Sequence, residues 1–163
     1  MNNTLKNQAP RPLAQHVLKK FRIIYGSMRQ HFREIEQTCG VSGSQLWILQ
    51  EISNSPDIGV SELAERLSIH QSTCSQLVEK LVARSLIVKE RSKEDQRRVG
   101  LRVSDTALDM IGKAPAPTQG LLPEILGTLP EETIQNLDAS LEEIIEQLRI
   151  RDHLLAGRPL SDM

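Results

Sequence analysis

Between Leu13 and Ile35 the apolar residues Leu13, Val17, Phe21, Ile24, Met28, Phe32 and Ile35 return at steps of three and four. That spacing keeps them on one side of an α-helix and predicts a long first helix with one buried stripe. Pro12 suits its first turn, and Cys39-Gly40 closes the pattern. Ser42-Gly43-Ser44-Gln45 then has the form of a capping box, opening a second helix that runs to about Ser53. Asn54-Ser55-Pro56-Asp57 is a turn cluster, and Ile58-Gly59-Val60 reads as a short extended connector. Ser61 is a candidate cap for a short third helix with Leu63, Ala64 and Leu67 on one face, ending near Ser68. A fourth helix, about Gln71 to Ala83, places Cys74, Leu77, Val78 and Leu81 at i, i+3, i+4 and i+7. Two short helices so tightly joined have the proportions of a helix-turn-helix.

Beyond this pair the period changes. Leu86-Ile87-Val88 and Val99-Gly100-Leu101-Arg102-Val103 are β-prone runs on either side of the hydrophilic stretch Lys89 to Arg98, which predicts a hairpin with a charged tip. Ser104 opens a fifth helix, and Ala114-Pro115-Ala116-Pro117 must kink or break it, because proline lacks an N–H and collides with the preceding turn. Helix resumes near Leu121. From Glu131 to Leu148, Ile134, Leu137, Leu141, Ile144, Ile145 and Leu148 form another stripe of near-heptad spacing. Its cap is either Thr128, through Thr128-x-x-Glu131, or Leu129, with Pro130 as the first helical residue. The two terminal helices carry more apolar stripe than one small winged domain covers. They either bury each other within one protomer or, more economically, form a homodimer.

Composition bounds the class. A chain of 163 residues with 39% hydrophobic and 25% charged residues is long enough for one folded domain with its own core. No apolar run approaches the roughly 18 residues that cross a bilayer, and the polar opening has no signal-peptide core, so the expectation is a cytoplasmic protein without membrane contact. Cys39 and Cys74 are too few for a disulfide framework. The net charge of −1 conceals a polarised chain. Residues 1–40 carry seven Lys/Arg against two Asp/Glu, residues 61–103 carry nine against six, and residues 104–148 carry Lys113 alone against nine acids. One basic surface can therefore face a polyanion while the acid lies elsewhere.

The fourth helix supplies the candidate chemistry. His70, Gln71, Ser72, Thr73, Ser75, Gln76 and Lys80 lie off or at the edge of its core stripe. A helix of this width fits the DNA major groove, where Gln bonds adenine, Ser and Thr serve phosphates or base edges, and the Thr methyl meets thymine. Lys89, Arg91, Lys93, Arg97 and Arg98 crowd into the hairpin tip, which can enter the minor groove or hold phosphates. Asp95, two residues before Arg97, can orient its guanidinium. This assigns Arg97 as a probe, Asp95 as its brace, and Arg91, Lys93 and Arg98 as phosphate anchors.

The order of elements and three sequence stretches resemble the MarR family of transcriptional regulators. The stretches are Val60-Ser-Glu-Leu-Ala-Glu-Arg-Leu-Ser-Ile-His-Gln-Ser-Thr-Cys-Ser-Gln-Leu-Val-Glu-Lys-Leu, Leu86-Ile-Val-Lys-Glu-Arg-Ser and Asp95-Gln-Arg-Arg. The resemblance covers about residues 12–150. It implies a mainly α fold with a small β-wing: an N-terminal dimerisation helix (12–40), a winged helix-turn-helix DNA-binding domain (41–103) and C-terminal dimerisation helices (104–150), between tails 1–11 and 151–163. It also implies a recognition helix at Gln71–Ala83, a wing at 89–98 with Arg97 near the minor groove, and a small-molecule effector site between the DNA-binding and dimer lobes. Ser85 stands where the family usually has glycine, His70 where it favours a small capping residue, and Ala107 where glycine is common. The Pro115/Pro117 break interrupts the helix that ordinarily ties the two lobes together.

The function expected is a dimeric, ligand-responsive repressor bound to a pseudo-palindromic double-stranded DNA operator. Two alternatives are an interaction module that docks partners through its acidic final helices, and a redox-sensing regulator switching through an accessible Cys39. His16, His31, His70 and His153 lack partners at ligand spacing, so neither a metal nor another cofactor is expected. Without a phosphate-cradling glycine loop or a nucleophile elbow, enzymatic activity is not expected.

Overall fold

The computed structural model describes residues 12–91, 98–148 and 153–162. Its elements run α1 (Pro12–Cys39), α2 (Gly43–Asn54), α3 (Val60–Arg66), α4 (Gln71–Ala83), β1 (Ile87–Arg91), β2 (Val99–Val103), α5 (Asp105–Lys113), α6 (Leu121–Thr128) and α7 (Glu131–Gln147). Two short 3-10 turns, His153–Gly157 and Leu160–Asp162, follow. The fold is mainly helical with one antiparallel pair, β1 against β2, in the register Ile87 opposite Val103 and Arg91 opposite Val99.

Local chemistry sets most helix ends. Ser42 caps α2 in a complete capping box: its Oγ accepts from the Gln45 N–H at 3.3 Å, while the Ser42 N–H donates to Gln45 Oε1 at 3.1 Å. Ser104 caps α5 by accepting from the Ala107 N–H. Gly40 leaves α1 in a left-handed conformation, φ 68°. Three expected ends move. Gly59, not Ser61, precedes α3, and Val60 already belongs to that helix. Neither Thr128 nor Leu129 caps α7: Pro130 occupies that position, its extended ψ of 145° setting the approach, while Thr128 Oγ1 bonds back to the Ile125 carbonyl. β1 extends to Arg91, so Lys89 and Arg91 stand on a strand and not in the hairpin tip.

The core lies within the winged domain. Leu46, Ile48, Leu49 and Ile52 of α2 occupy its centre, with Leu63, Ala64 and Leu67 on one side and Cys74, Leu77, Val78 and Leu81 of α4 on another. Leu86, Ile87 and Leu101 bring the wing onto this cluster, and Ala107 brings α5. α1 joins only through its C-terminal half, where Ile35 and Cys39 enter the cluster and Met28 and His31 are also buried.

Its N-terminal half is open: Leu13, Val17, Leu18, Phe21 and Ile24 are exposed, as are Leu137, Leu141, Ile144, Ile145 and Leu148 at the other end of the chain. α7 buries no residue. The two terminal stripes therefore do not bury each other within one protomer. As expected, helix breaks after Lys113 and resumes at Leu121; across this gap His31 Nε2–H donates to the Pro117 carbonyl at 2.9 Å, tying the connection to α1. Among the described residues no helix is long and apolar enough to cross a membrane.

Candidate nucleic-acid interface

α4 begins where α3 has just turned back on itself. Ser68 takes φ 53°, the Ile69 N–H bonds the Ala64 carbonyl, and His70 becomes the N-cap of α4 with its carbonyl accepting from Cys74. Burying Cys74, Leu77, Val78 and Leu81 fixes the rotation of the helix, so the other face must look outward. Gln71, Ser72, Gln76 and Lys80 are exposed, while Thr73 and Ser75 flank them half-buried. This is a row of neutral donors and acceptors with one cation at its far end. His70 makes no side-chain cap bond, so its ring is not used to terminate the helix.

The wing is braced on both faces. On one, Lys89 pairs with Glu79 of α4. On the other, Arg102 binds Asp57 in a fork, Nε to Oδ1 and Nη2 to Oδ2, each at 2.8 Å, with Glu90 Oε2 3.4 Å from the same guanidinium. The Arg102 hydrogen bond, reinforced by its charge, holds the Asp57 carboxyl below its ordinary pKa and keeps it ionised. Backbone bonds repeat the attachment: the Asp57 N–H reaches the Leu101 carbonyl and the Leu101 N–H the Ile58 carbonyl, both at 3.0 Å. Gly100 makes this approach possible, since a Cβ there would lie 2.8 Å from the Asp57 Cα. No spacing of residues marks Asp57 and Arg102 as partners, although a glycine inside a strand is itself a marker of close backbone approach.

Arg91 and Arg98 are exposed at the two strand ends that lead into the tip. Lys93, Asp95 and Arg97 lie outside the described residues. A cavity of about 360 Å³ opens between α1, α2, the α3–α4 turn and α6. Its walls are mainly apolar, with Phe32, Ile35, Trp47, Leu67 and Leu122, and Arg158 and Leu160 of the C-terminal turns complete them. Trp47 Nε1–H is buried with no hydrogen-bond partner among the described residues.

Residues 40–98, the α2–wing segment just described, match the MarR family model. Over this segment the chain is similar to the MarR family. A protein of Thauera aromatica described as a transcriptional regulatory protein for the hcr operon is 30% identical over 87 residues, 53% of this chain; the matched region spans about half (52%) of that relative's length. The HTH-type transcriptional repressor MdtR of Bacillus subtilis (strain 168) is 23% identical over 109 residues, covering 67% of this chain and 70% of that protein. Among solved structures, Streptococcus pneumoniae FabT in complex with DNA superposes with a TM-score of 0.56 at 16% identity, covering 81% of this chain and 94% of that one. S. aureus MepR in its DNA complex gives 0.54 at 19% identity, covering 80% and 94%.

Ser85, where the resemblance led to an expectation of glycine, takes φ 59°, a left-handed conformation in which a Cβ is strained and a glycine is not. The correction here concerns Cys39. It was expected at an accessible helix end, but it is 7% exposed, packed in the core, with its thiol 3.7 Å from the Met110 carbonyl. Burial raises its pKa, and raises that of Cys74 to about 11. Both thiols are held in the unreactive protonated form, which weighs against switching through Cys39.

Proposed function

We propose that this chain is a homodimeric transcriptional regulator that binds double-stranded DNA and acts as a repressor. The observation that carries this reading is the solvent-facing row Gln71, Ser72, Gln76 and Lys80 on a helix rotated and fixed by its own core. In the major groove Gln71 and Gln76 would read base edges, Ser72 with Thr73 and Ser75 would meet bases or phosphates, and Lys80 would take a phosphate. The wing would lie along the backbone, with Arg91, Lys93 and Arg98 on phosphates and Arg97, steadied by Asp95, reaching the minor groove. The open apolar faces of α1 and α7 support a dimer, and two copies of α4 about one helical turn apart, roughly 34–36 Å, suit a pseudo-palindrome. Repression follows the sense given to MdtR, and the complexes of FabT and MepR with DNA support the choice of partner. The mainly apolar cavity, with Arg158 among its lining residues, suits an apolar effector that carries an anionic or acceptor group.

Selection of bound duplexes from a random library, followed by mobility shift on the selected site, tests the reading. Salt-sensitive binding is expected, and Arg97→Ala should weaken it and flatten the salt dependence. Equal affinity of the variant for the selected site would remove the wing from the interface. No binding to any duplex would leave the acidic final helices as a protein-docking surface.

A further inference from the structure

After α7 the chain returns to the winged domain, and its last turns end on the helix proposed to read DNA. The Gly157 carbonyl accepts the His70 N–H at 3.2 Å. The Gly157 backbone lies so close to the imidazole that a Cβ there would fall 1.8 Å from His70 Cδ2. Four residues on, Ser161 Oγ accepts the Ser44 N–H at 3.0 Å, and Asp162 Oδ1 accepts the Ser44 hydroxyl at 2.8 Å and the Ser161 hydroxyl at 3.0 Å. The free Ser44 N–H in the first turn of α2, and the Ser44 hydroxyl beside it, thus find partners in the C-terminal turns. Between these anchors Arg158, Pro159 and Leu160 form one wall of the cavity.

We propose that residues 153–162 are an autoinhibitory strap: docked, they occupy the start of α4 and lower its affinity for DNA, and they must leave before the helix seats. This rests on the DNA-binding reading above. The N-cap N–H of α4 and the space beside the His70 ring lie where a phosphate approaching this helix start would find a donor. Gly157 fills that space with backbone and presents a carbonyl, whose partial negative charge opposes a phosphate. The strap also links the helix start to the cavity, because the same segment touches both. A ligand that displaces the Arg158–Leu160 wall would uncover α4, and one that seals the wall would hold it covered.

The test uses two full-length variants, Gly157→Val, which cannot approach His70, and Asp162→Ala, which loses the carboxylate bonds to the Ser44 and Ser161 hydroxyls. Each is measured for affinity to the selected duplex and for acrylamide quenching of Trp47, the single tryptophan, which lines the cavity that the strap closes. Released straps should raise Trp47 quenching and tighten duplex binding by about tenfold, within the range of one coupled contact. Raised quenching with unchanged or weaker binding overturns the inhibitory role. Quenching equal to wild type in both variants overturns the docked strap. If neither the wild type nor the variants bind duplex, the DNA-binding reading fails and the inhibitory role with it, while docking is still decided by Trp47.

Discussion

Replacing Ile144 and Ile145 together by alanine perturbs the face that a lone protomer leaves in water. Ile144 is 44% and Ile145 47% exposed, on a helix that buries no residue of its own. Full burial of an isoleucine side chain contributes about 1.5–3 kcal/mol, so covering the remaining near-half of each is worth about 1 kcal/mol. A two-fold interface counts every residue twice, which brings the pair to about 4 kcal/mol per dimer. At about 1.4 kcal/mol for each factor of ten, the dissociation constant of the dimer should rise about a thousandfold. Sedimentation velocity across a dilution series measures this directly. Circular dichroism should show the same helical content in the dimeric wild type and the concentrated variant, because neither residue belongs to the winged core. A variant that dimerises as tightly as the wild type would place the interface elsewhere, and a wild type that stays monomeric at micromolar concentration would refute the dimer.

The brace behind the wing gives a second expectation: Gly100→Ala must push Asp57 or β2 aside, costing about 1–3 kcal/mol in urea unfolding. It should also weaken duplex binding, and unchanged stability would mean that the wing absorbs the methyl group. Ser85→Gly relieves a left-handed φ, and after the greater chain entropy of glycine it should stabilise by about 0.5–1 kcal/mol in the same assay; a loss of stability would mean that the Ser85 conformation carries no strain. Native protein at pH 8 should react with a disulfide reagent far more slowly than unfolded protein. The Cys74 thiol, pushed from 9.0 to about 11, keeps its proton in the folded chain while the unfolded chain loses it, so stability should fall as pH rises from 9 towards 11. A Cys74→Ala variant with the same fall would assign it to other groups.

What could be read from the sequence was what is decided locally. The α1 stripe, the capping box at Ser42 and the bounds of α4 follow from the helical period and from side chains bonding backbone within one turn. The candidate row on α4 was legible for the same reason, since four apolar positions fix which face remains. Contacts between distant segments were not legible. Asp57 and Arg102 are 45 residues apart, and each alone reads as an ordinary turn acid or strand cation. Ser44 and Asp162 are separated by 118 residues, and the C-terminal segment has too little periodicity to announce that it packs on anything. Cys39 misled because a helix terminus suggests exposure, whereas α1 ends by running into the core through Ile35 and Cys39. The α3 and α7 caps were misplaced because a serine or threonine was preferred on side-chain chemistry, while the helices start after Gly59 and Pro130 on backbone conformation alone.

Because the break at Pro115–Pro117 leaves no continuous α5–α6 helix, in the proposed dimer the mechanical link between the dimer face and the winged domain would fall to α1. It runs unbroken from Pro12 to Cys39, with its first half in the open apolar face and its second half in the core of the winged domain. The chain beyond the break is tied back to this helix, since His31 of α1 holds the Pro117 carbonyl. The cavity lies against the same helix at Met28, Phe32 and Ile35. In the proposed dimer, a ligand bound there would act on α1 at the point where its open apolar half passes into the core half. It would then alter the spacing of the two α4 helices without any rigid α5–α6 rod, to the extent that it prefers one placement of α1 over another.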